Sequence, residues 1–236
     1  MFGPETLLLF DIDGTLLGGM PPMHRQAIIA AAQEVFHLTL SLEQLRSTAG
    51  RTDTSIAYTA LLQAGLERRE IAAALPAFFR EMAAQFERLR LADLSPYLLP
   101  HVEPTLAWLE RRGVALGLVT GNLTEIAWSK LRAAGIGHYF HCGAFGEEAE
   151  ARDTLPALAA ARARACFGRA FLPSATFVIG DTPFDIACGL ACGFRTIAVA
   201  TGRSHSFEEL DGHGPDLLLR HLGELPGSPF AENRLL

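Results

Sequence analysis

The chain has 236 residues and a formal net charge of −6, with 49% hydrophobic and 19% charged residues. This size and composition are typical of a globular protein with one sizeable core, or with a core and a smaller inserted domain. The acidic balance argues against a protein that binds nucleic acid or an anionic membrane surface, because such proteins usually carry basic clusters.

Targeting signals and cysteine usage restrict the setting further. No apolar run approaches the roughly eighteen residues that span a bilayer. The four cysteines have no paired zinc-finger spacing, and the N-terminus lacks the features of a signal peptide. We therefore expect a cytoplasmic protein without a membrane anchor. Its oligomeric state is not indicated by the sequence.

The first predicted element is a strand over residues 7–10, Leu-Leu-Leu-Phe. The run is apolar without alternation, which favours a strand that is covered on both faces in a parallel sheet. Two aspartates, Asp11 and Asp13, follow it at once, and Gly14 then turns the chain. Charge at the carboxyl end of such a strand indicates a ligand site, because ligands of open α/β sheets bind there.

Helical spacing without a convincing strand marks residues 18–97, which we name the cap segment. A helix is predicted over residues 24–36, and a capping box at Ser41–Gln44 predicts the start of a short second one. Asp53 can cap a third helix, and residues 67–92 predict further helix, interrupted or kinked near Pro76.

Strands and helices alternate after the cap segment. Strands are predicted at 114–119, 140–144, 176–179, 196–199 and, more weakly, 216–219; helices are predicted at 104–112, 123–134, 154–167 and 183–192. The turn-rich tail from Leu225 is expected to be loosely held. The pattern predicts an α/β fold, a Rossmann-like three-layer core with a parallel sheet, formed by residues 1–17 and 98–236. The helical cap segment is inserted at the carboxyl edge of the sheet, over the predicted site.

Polar residues follow two further predicted strands. The strand at 114–119 leads into Thr120, Gly121 and Asn122, where Asn122 could cap the next helix and leave backbone amides facing the site. The strand at 176–179 leads into Asp181, Thr182 and Asp185, and Pro183 suits a first helical position.

Several carboxylates that converge on one sheet edge predict a bound cation, because they cannot all stay ionised cheaply without one. Oxygen-only ligands favour a hard ion such as Mg²⁺, which usually also binds substrate phosphate oxygens. The residues therefore outline a site for phosphoryl transfer, with a small phosphorylated metabolite as the ligand.

Three motifs carry a family resemblance: DIDGT at 11–15, VTGN at 119–122 and GDTPFD at 180–185. Together they resemble the haloacid dehalogenase superfamily of hydrolases. The inserted helical segment is similar to that family's cap, and GRTD at 50–53 resembles the substrate-facing loop of its phosphoglycolate-phosphatase-like group.

The resemblance implies a role for each matched residue. Asp11 would be the nucleophile that forms an aspartyl-phosphate, and Asp13 the general acid and base. Thr120 and the amides of Gly121 and Asn122 would hold the phosphoryl oxygens. Mg²⁺ would bind the Asp11 carboxylate, the Asp13 carbonyl and Asp181, with Asp185 bound directly or through a neighbour.

The phosphate-binding cation departs from the family pattern, which usually has a lysine there. The only lysine, Lys130, comes too early in the chain to fit, so Arg152 is predicted to take the role, since an arginine can bind phosphate oxygens through two donors. In the cap segment, Arg51 is predicted to recognise a carboxylate or second anion of the substrate.

Three activities remain open at this point. The resemblance favours a phosphatase for a small phosphomonoester, with phosphoglycolate, a sugar phosphate, a nucleotide or pyrophosphate as candidates. A phosphosugar mutase of the β-phosphoglucomutase type would share both aspartates. A non-catalytic protein that binds a phosphorylated ligand is the third, although the acidic set is complete.

Overall fold

The computed structural model describes residues 2–46 and 48–232, which fold around a six-stranded parallel sheet. The strand order is β3-β2-β1-β4-β5-β6. The strands are β1 (Leu7–Phe10), β2 (Ala115–Val119), β3 (Gly143–Ala144), β4 (Thr176–Gly180), β5 (Arg195–Val199) and β6 (Leu217–Leu219). The predicted α/β sheet is confirmed, and its strands begin and end within a few residues of the predicted bounds.

Strand β1 lies at the centre of the sheet because apolar groups cover both its faces. Leu8 and Phe10 pack into the larger hydrophobic core, and Leu7 and Leu9 pack on the opposite side against α6 (Leu155–Phe167). All four side chains are fully buried. The unbroken apolar run of the sequence is thereby explained.

Outside the cap segment, the other helices alternate with the strands along the chain. They are α4 (Val102–Arg111), α5 (Thr124–Ala133), α7 (Pro183–Ala191), α8 (Phe207–Asp211) and α9 (Pro229–Glu232). None of the described helices combines the length and the apolar composition needed to cross a lipid bilayer.

Three helices form within the cap segment: α1 (Met23–Phe36), α2 (Asp53–Gln63) and α3 (Arg68–Leu89). Helix α1 packs along α3, where Phe36 lies against Phe78. The division of the chain into core and cap at residues 17 and 98 stays a prediction.

Two predictions for the cap segment are wrong, namely the short second helix and an interruption of the helix at Pro76, whereas a kink at Pro76 stays a prediction. Ser41 and Gln44 do exchange the hydrogen bonds of a capping box, but residues 42–45 form turns and no helix follows. Helix α3 runs through Pro76 without interruption. Both Pro76 and Ala72 face solvent, so water can reach the carbonyl that loses its helical partner.

The tail is also better packed than expected. Leu225 is fully buried, and the Phe230 ring packs edge-on against Phe177 at 5.1 Å between centroids. Residues 233–236 lie outside the described part of the chain.

Candidate active site

Three carboxylates meet at the carboxyl ends of β1 and β4. The parallel register pairs Phe10 with Ile179, and the Asp11 backbone N–H donates to the Ile179 carbonyl at 2.9 Å. This pairing brings Asp11 beside Asp181 and Asp185, and one carboxylate oxygen of each lies within 4.8 Å of the others. All three residues are buried.

Three carboxylates, those of Asp11, Asp181 and Asp185, lie close together, and Arg152 pairs with two of them. Burial raises the pKa of Asp11 to about 6, against the lowering effect of Arg152. Burial and the neighbouring Asp185 and Asp11 raise the pKa of Asp181 to about 8. A cation would relieve this repulsion, and the all-oxygen donor set suits a hard divalent ion.

Two loops fix the position of Asp181. Thr15 donates its hydroxyl to Asp181 at 3.1 Å, and a Cβ added at Gly14 or at Gly202 would overlap the Asp181 carboxylate. Thr201 ties these loops together by donating to the Gly14 carbonyl at 2.6 Å. A side chain at either position would displace the Asp181 carboxylate.

Both carboxylate oxygens of Asp185 already have hydrogen-bond partners within the protein. Asp185 accepts from the Thr182 backbone N–H at 3.0 Å and from the Thr182 hydroxyl at 2.7 Å, at the start of α7, where Thr182 is the N-cap residue. Its other oxygen accepts from Arg152 at 2.5 Å. Asp11 and Asp181 therefore have more oxygen atoms open to a cation than Asp185.

Arg152 reaches the acidic cluster from a short 3₁₀ turn before α6. Only 5% of the residue is exposed, and its Nη2 lies 3.1 Å from Asp11 Oδ1 and 3.0 Å from the Val119 carbonyl oxygen. The sequence placed Arg152 at this site, and the structure brings it there. Its role toward phosphate stays a prediction.

Lys130 also belongs to the site, although in the sequence analysis it was considered only as the phosphate-binding cation, with Arg152 preferred for that role. Its Nζ donates to Asp13 at 2.6 Å and to Asn122 Oδ1 at 2.6 Å. Lys130 is 1% exposed, whereas 41% of the Asp13 side chain is exposed. Spacing along the chain did not indicate this contact, because α5 carries Lys130 back over the sheet edge to Asp13, on the opposite flank from Arg152.

A sequence signal for Lys130 was present in the helical pattern. Residues 123, 126, 127, 130 and 131 are all buried, the period of an amphipathic helix. A lysine at an apolar position of that pattern requires a buried partner.

The ion pair sets the protonation of Asp13. Burial by itself would raise the pKa of Asp13, but Lys130 and the Asn122 amide hold it below its usual value. Asp13 also stands apart from the cluster formed by Asp11, Asp181 and Asp185. The expected metal contact of Asp13 was through its backbone carbonyl, which no observed contact tests.

The prediction that Asn122 caps the following helix is wrong. Its Nδ2 donates to Asp13 at 2.8 Å and to Thr120 Oγ1 at 2.7 Å. The first amides of α5 bind instead to more distant carboxylates, with Leu123 N–H on Asp53 and Thr124 N–H on Glu147. Asn122 is thereby free to join the Thr120 hydroxyl to Asp13.

Two cap residues that the sequence did not single out for the site lie beside it. His24 Nδ1 is 3.2 Å from Lys130 Nζ, and His24 Nε2 is 3.0 Å from Asp53 Oδ1. Asp53 was expected to cap its own helix, whose N-cap is Thr52, and to belong to the GRTD loop that faces the substrate. Nothing in the local sequence around His24 indicated a partner in the predicted core.

Arg51 lies in the cavity wall, but its guanidinium is bound to α2, which begins two residues later. Its guanidinium donates to the Ser55 hydroxyl at 2.7 Å and to the Thr59 hydroxyl at 2.6 Å. The predicted recognition of a substrate anion by Arg51 is therefore supported by position alone.

The segment around Arg51 rests directly on the core. Asp53 N–H donates to the Gly121 carbonyl at 2.7 Å, and the Thr54 hydroxyl donates to the Gly146 carbonyl at 2.6 Å. A Cβ added at Gly121 would overlap the Arg51 carbonyl oxygen. The cap segment is thus docked on the loop that contains Thr120.

A cavity of about 480 Å³ opens above these residues. Six cationic and four acidic side chains line it, although the whole chain is acidic. The cationic side chains are those of Arg25, Arg46, Arg51, Lys130, Arg152 and Arg203. The lining therefore favours an anionic ligand.

Comparison with known proteins identifies the family of this chain. Residues 6–193 match the family described as haloacid dehalogenase-like hydrolase. The phosphoglycolate phosphatase of Escherichia coli O157:H7 is 26% identical over 249 residues, covering 95% of this chain and 94% of its own.

Solved structures confirm the fold. A protein of Haemophilus somnus 129pt assigned as a phosphoglycolate phosphatase superposes with a TM-score of 0.68 at 23% identity, covering 94% of this chain and 96% of its own. A protein of Bacteroides vulgatus assigned as a β-phosphoglucomutase superposes with a TM-score of 0.65 at 21% identity, covering 97% and 89%.

Proposed function

Because this chain belongs to the haloacid dehalogenase-like hydrolases, we propose that it is a Mg²⁺-dependent phosphatase that hydrolyses a small phosphomonoester through an aspartyl-phosphate. The observation that carries the proposal is the arrangement of the two aspartates. Asp11 is buried against Arg152, and Asp13 faces the cavity beside Lys130. The phosphoglycolate phosphatase relative supports the choice of reaction.

In the first proposed step, an Asp11 oxygen attacks phosphorus as the bond to the substrate's alcohol oxygen breaks. Asp13, protonated at this stage, gives its proton to the departing oxygen. The approach of a phosphate dianion raises the pKa of Asp13 and so favours the protonated form. Arg152 and the Thr120 hydroxyl compensate the charge on the phosphoryl oxygens.

In the second step, water attacks the aspartyl-phosphate and the Asp11–phosphorus bond breaks. Asp13, now ionised, accepts the proton of that water. The Lys130 ion pair favours this ionised form and holds the carboxylate toward the cavity. Each turnover leaves both aspartates as they began.

The acidic cluster fits a Mg²⁺ ion, which Asp11, Asp181 and Asp185 would hold together with the Asp13 carbonyl. When bound, such an ion supplies Lewis-acid stabilisation of phosphoryl oxygens. The fit rests on the raised pKa of Asp11 and Asp181 and on oxygen donors alone.

The cationic cavity supports a phosphomonoester of the phosphoglycolate or sugar phosphate class. Its volume accommodates ligands larger than a two-carbon acid. We expect phosphate release to be faster for 3-phosphoglycerate than for glycerol 3-phosphate, because the two differ mainly in a carboxylate that the arginines can bind.

The test measures inorganic phosphate released from a panel of phosphomonoesters, with Mg²⁺ and with EDTA. Release that requires the metal supports the phosphatase. Conversion of a hexose phosphate into its isomer, with little free phosphate, would establish a mutase instead. Tight binding of the panel compounds without turnover would identify a non-catalytic ligand-binding protein.

Metal binding also predicts a specific dependence of stability on pH. The pKa values of Asp11 and Asp181 are raised on folding, so the metal-free protein should lose stability as pH rises from about 4 to about 8. Mg²⁺ at about 100 times its Kd contributes about 2.7 kcal/mol, or roughly 5–10 °C in Tm. This gain should appear at pH 8 and shrink markedly at pH 5.

Thermal unfolding in EDTA and in Mg²⁺, at both pH values, checks this prediction. Asp181→Asn is the matched control, since it should lose most of the pH dependence and most of the Mg²⁺ response. An equal Mg²⁺ response at pH 5 and pH 8 would contradict a site made of these carboxylates.

A further inference from the structure

Two buried cations each join one of the central aspartates to the cap segment. Arg152 binds Asp11 through Nη2 and the Gly50 carbonyl oxygen through Nη1, at 3.2 Å. Lys130 binds Asp13 and, at 3.2 Å, His24 Nδ1. Both Gly50 and His24 belong to the cap segment, whereas the cations and the aspartates belong to the predicted core.

The Lys130 ammonium uses its hydrogen-bonding capacity in full when the cap segment is docked. Its three N–H groups face three partners, namely Asp13, Asn122 and His24. His24 accepts at Nδ1 in the neutral tautomer that carries its proton on Nε2, and Asp53 favours this tautomer because its carboxylate lies beside Nε2. Undocking the cap segment removes one of the three partners.

The chemistry of Arg152 suits the same double contact. The guanidinium presents two nitrogens on one rigid plane, so that one can bind the carboxylates while the other binds the Gly50 carbonyl. A lysine ammonium is a single point and cannot span both. Arginine in place of the usual lysine at position 152 therefore provides an additional contact with the cap segment.

We propose that Lys130 and Arg152 are positioning residues that couple docking of the cap segment to the alignment of Asp13 and Asp11. With the cap segment undocked, each cation loses one of its partners, so the position of the cation and of the aspartate that it binds is less restricted. Substrate entry and assembly of the reacting groups would then be one coupled equilibrium. The meaning of the alignment rests on the proposed phosphatase activity, but the coupling itself does not.

The chain provides its own reporter, because Lys130 is its only lysine. An amine-reactive ester modifies Lys130 only when the cap segment undocks, and peptide mapping by mass spectrometry separates that product from the modified N-terminus. We expect slow labelling in the wild-type protein. His24→Leu, which removes the cap partner of Lys130, should label at least about tenfold faster.

Two variants on the same helix sharpen the comparison. His24→Gln retains an acceptor and should return the labelling rate toward that of the wild type. Gln26→Leu changes an exposed residue two positions away and should label as slowly as the wild type. Circular dichroism must show folded protein for each variant. Equal labelling of folded His24→Leu and wild type would overturn the proposal.

Steady-state kinetics test whether docking of the cap segment affects the alignment of Asp13 and Asp11. His24→Leu should lower kcat by about tenfold with a smaller change in KM, with recovery in His24→Gln, and Arg152→Lys should also lower kcat. Faster labelling of His24→Leu at an unchanged kcat would overturn the proposal. If the wild-type protein releases no phosphate, the phosphatase assignment fails, yet the labelling still decides whether docking is coupled to Lys130.

Discussion

Replacing Asp11 with asparagine should reduce Mg²⁺-dependent phosphate release by at least roughly ten-thousandfold, since removing a catalytic nucleophile can lower kcat by about a millionfold. Asparagine keeps the shape of the side chain but cannot form the aspartyl-phosphate. Asp11 is buried at the base of the cavity, where water cannot readily replace it. The loss should therefore lie in kcat.

The fold should survive this substitution. Asp11 repels Asp185 and Asp13, and its neutral replacement removes that repulsion while Arg152 keeps Asp185 as a partner. Asp211→Asn, at an exposed position at the end of α8, is the matched control and should retain full activity. Full activity of a folded Asp11→Asn variant would refute the assignment of the nucleophile.

Gly146→Ala should impair the enzyme without altering any of the predicted catalytic side chains. An added Cβ would overlap the Gly121 carbonyl oxygen and would lie 2.9 Å from the Asp53 backbone nitrogen. The alanine would thus push the cap segment away from the loop that holds Thr120. Misplacement of about 1 Å can cost about a hundredfold in rate, and overpacking typically costs 1–3 kcal/mol.

The measurements are kcat/KM and the free energy of unfolding from urea titration. Gly227→Ala is a suitable control because a Cβ there meets no atom within 4 Å and the residue's φ is not positive. A Gly146→Ala variant with wild-type kcat/KM would show that the close approach of the Gly146 and Gly121 backbones does not matter for catalysis.

The main features of the fold follow from local patterns. The apolar run at residues 7–10 predicts a doubly covered strand, and alternating strands and helices predict a parallel sheet with its ligand site at one edge. Asp11 and Asp181 could be brought together on this basis alone. Strand ends of a parallel sheet are neighbours in space whatever the details of side-chain packing.

The partners of the polar side chains depended on the tertiary structure. Lys130 and Asp13 are 117 residues apart in the chain, and His24 and Lys130 are 106 apart. Asn122 had the right position to cap a helix, yet it binds Thr120 and Asp13 because Asp53 and Glu147 bind the amides at the start of α5. A local motif indicates which groups a side chain can bind. It does not show whether a residue far away in the chain binds the same groups instead.

The sequence by itself therefore determined the sheet, the order of its elements and the aspartates at its edge, because hydrophobic periodicity and strand direction are local properties. Only the tertiary structure decided how the cap segment docks on the core and which cationic side chain pairs with which aspartate. Those choices depend on the burial of charge, since a buried Lys130 or Arg152 must find oppositely charged or polar partners wherever the fold brings them within reach.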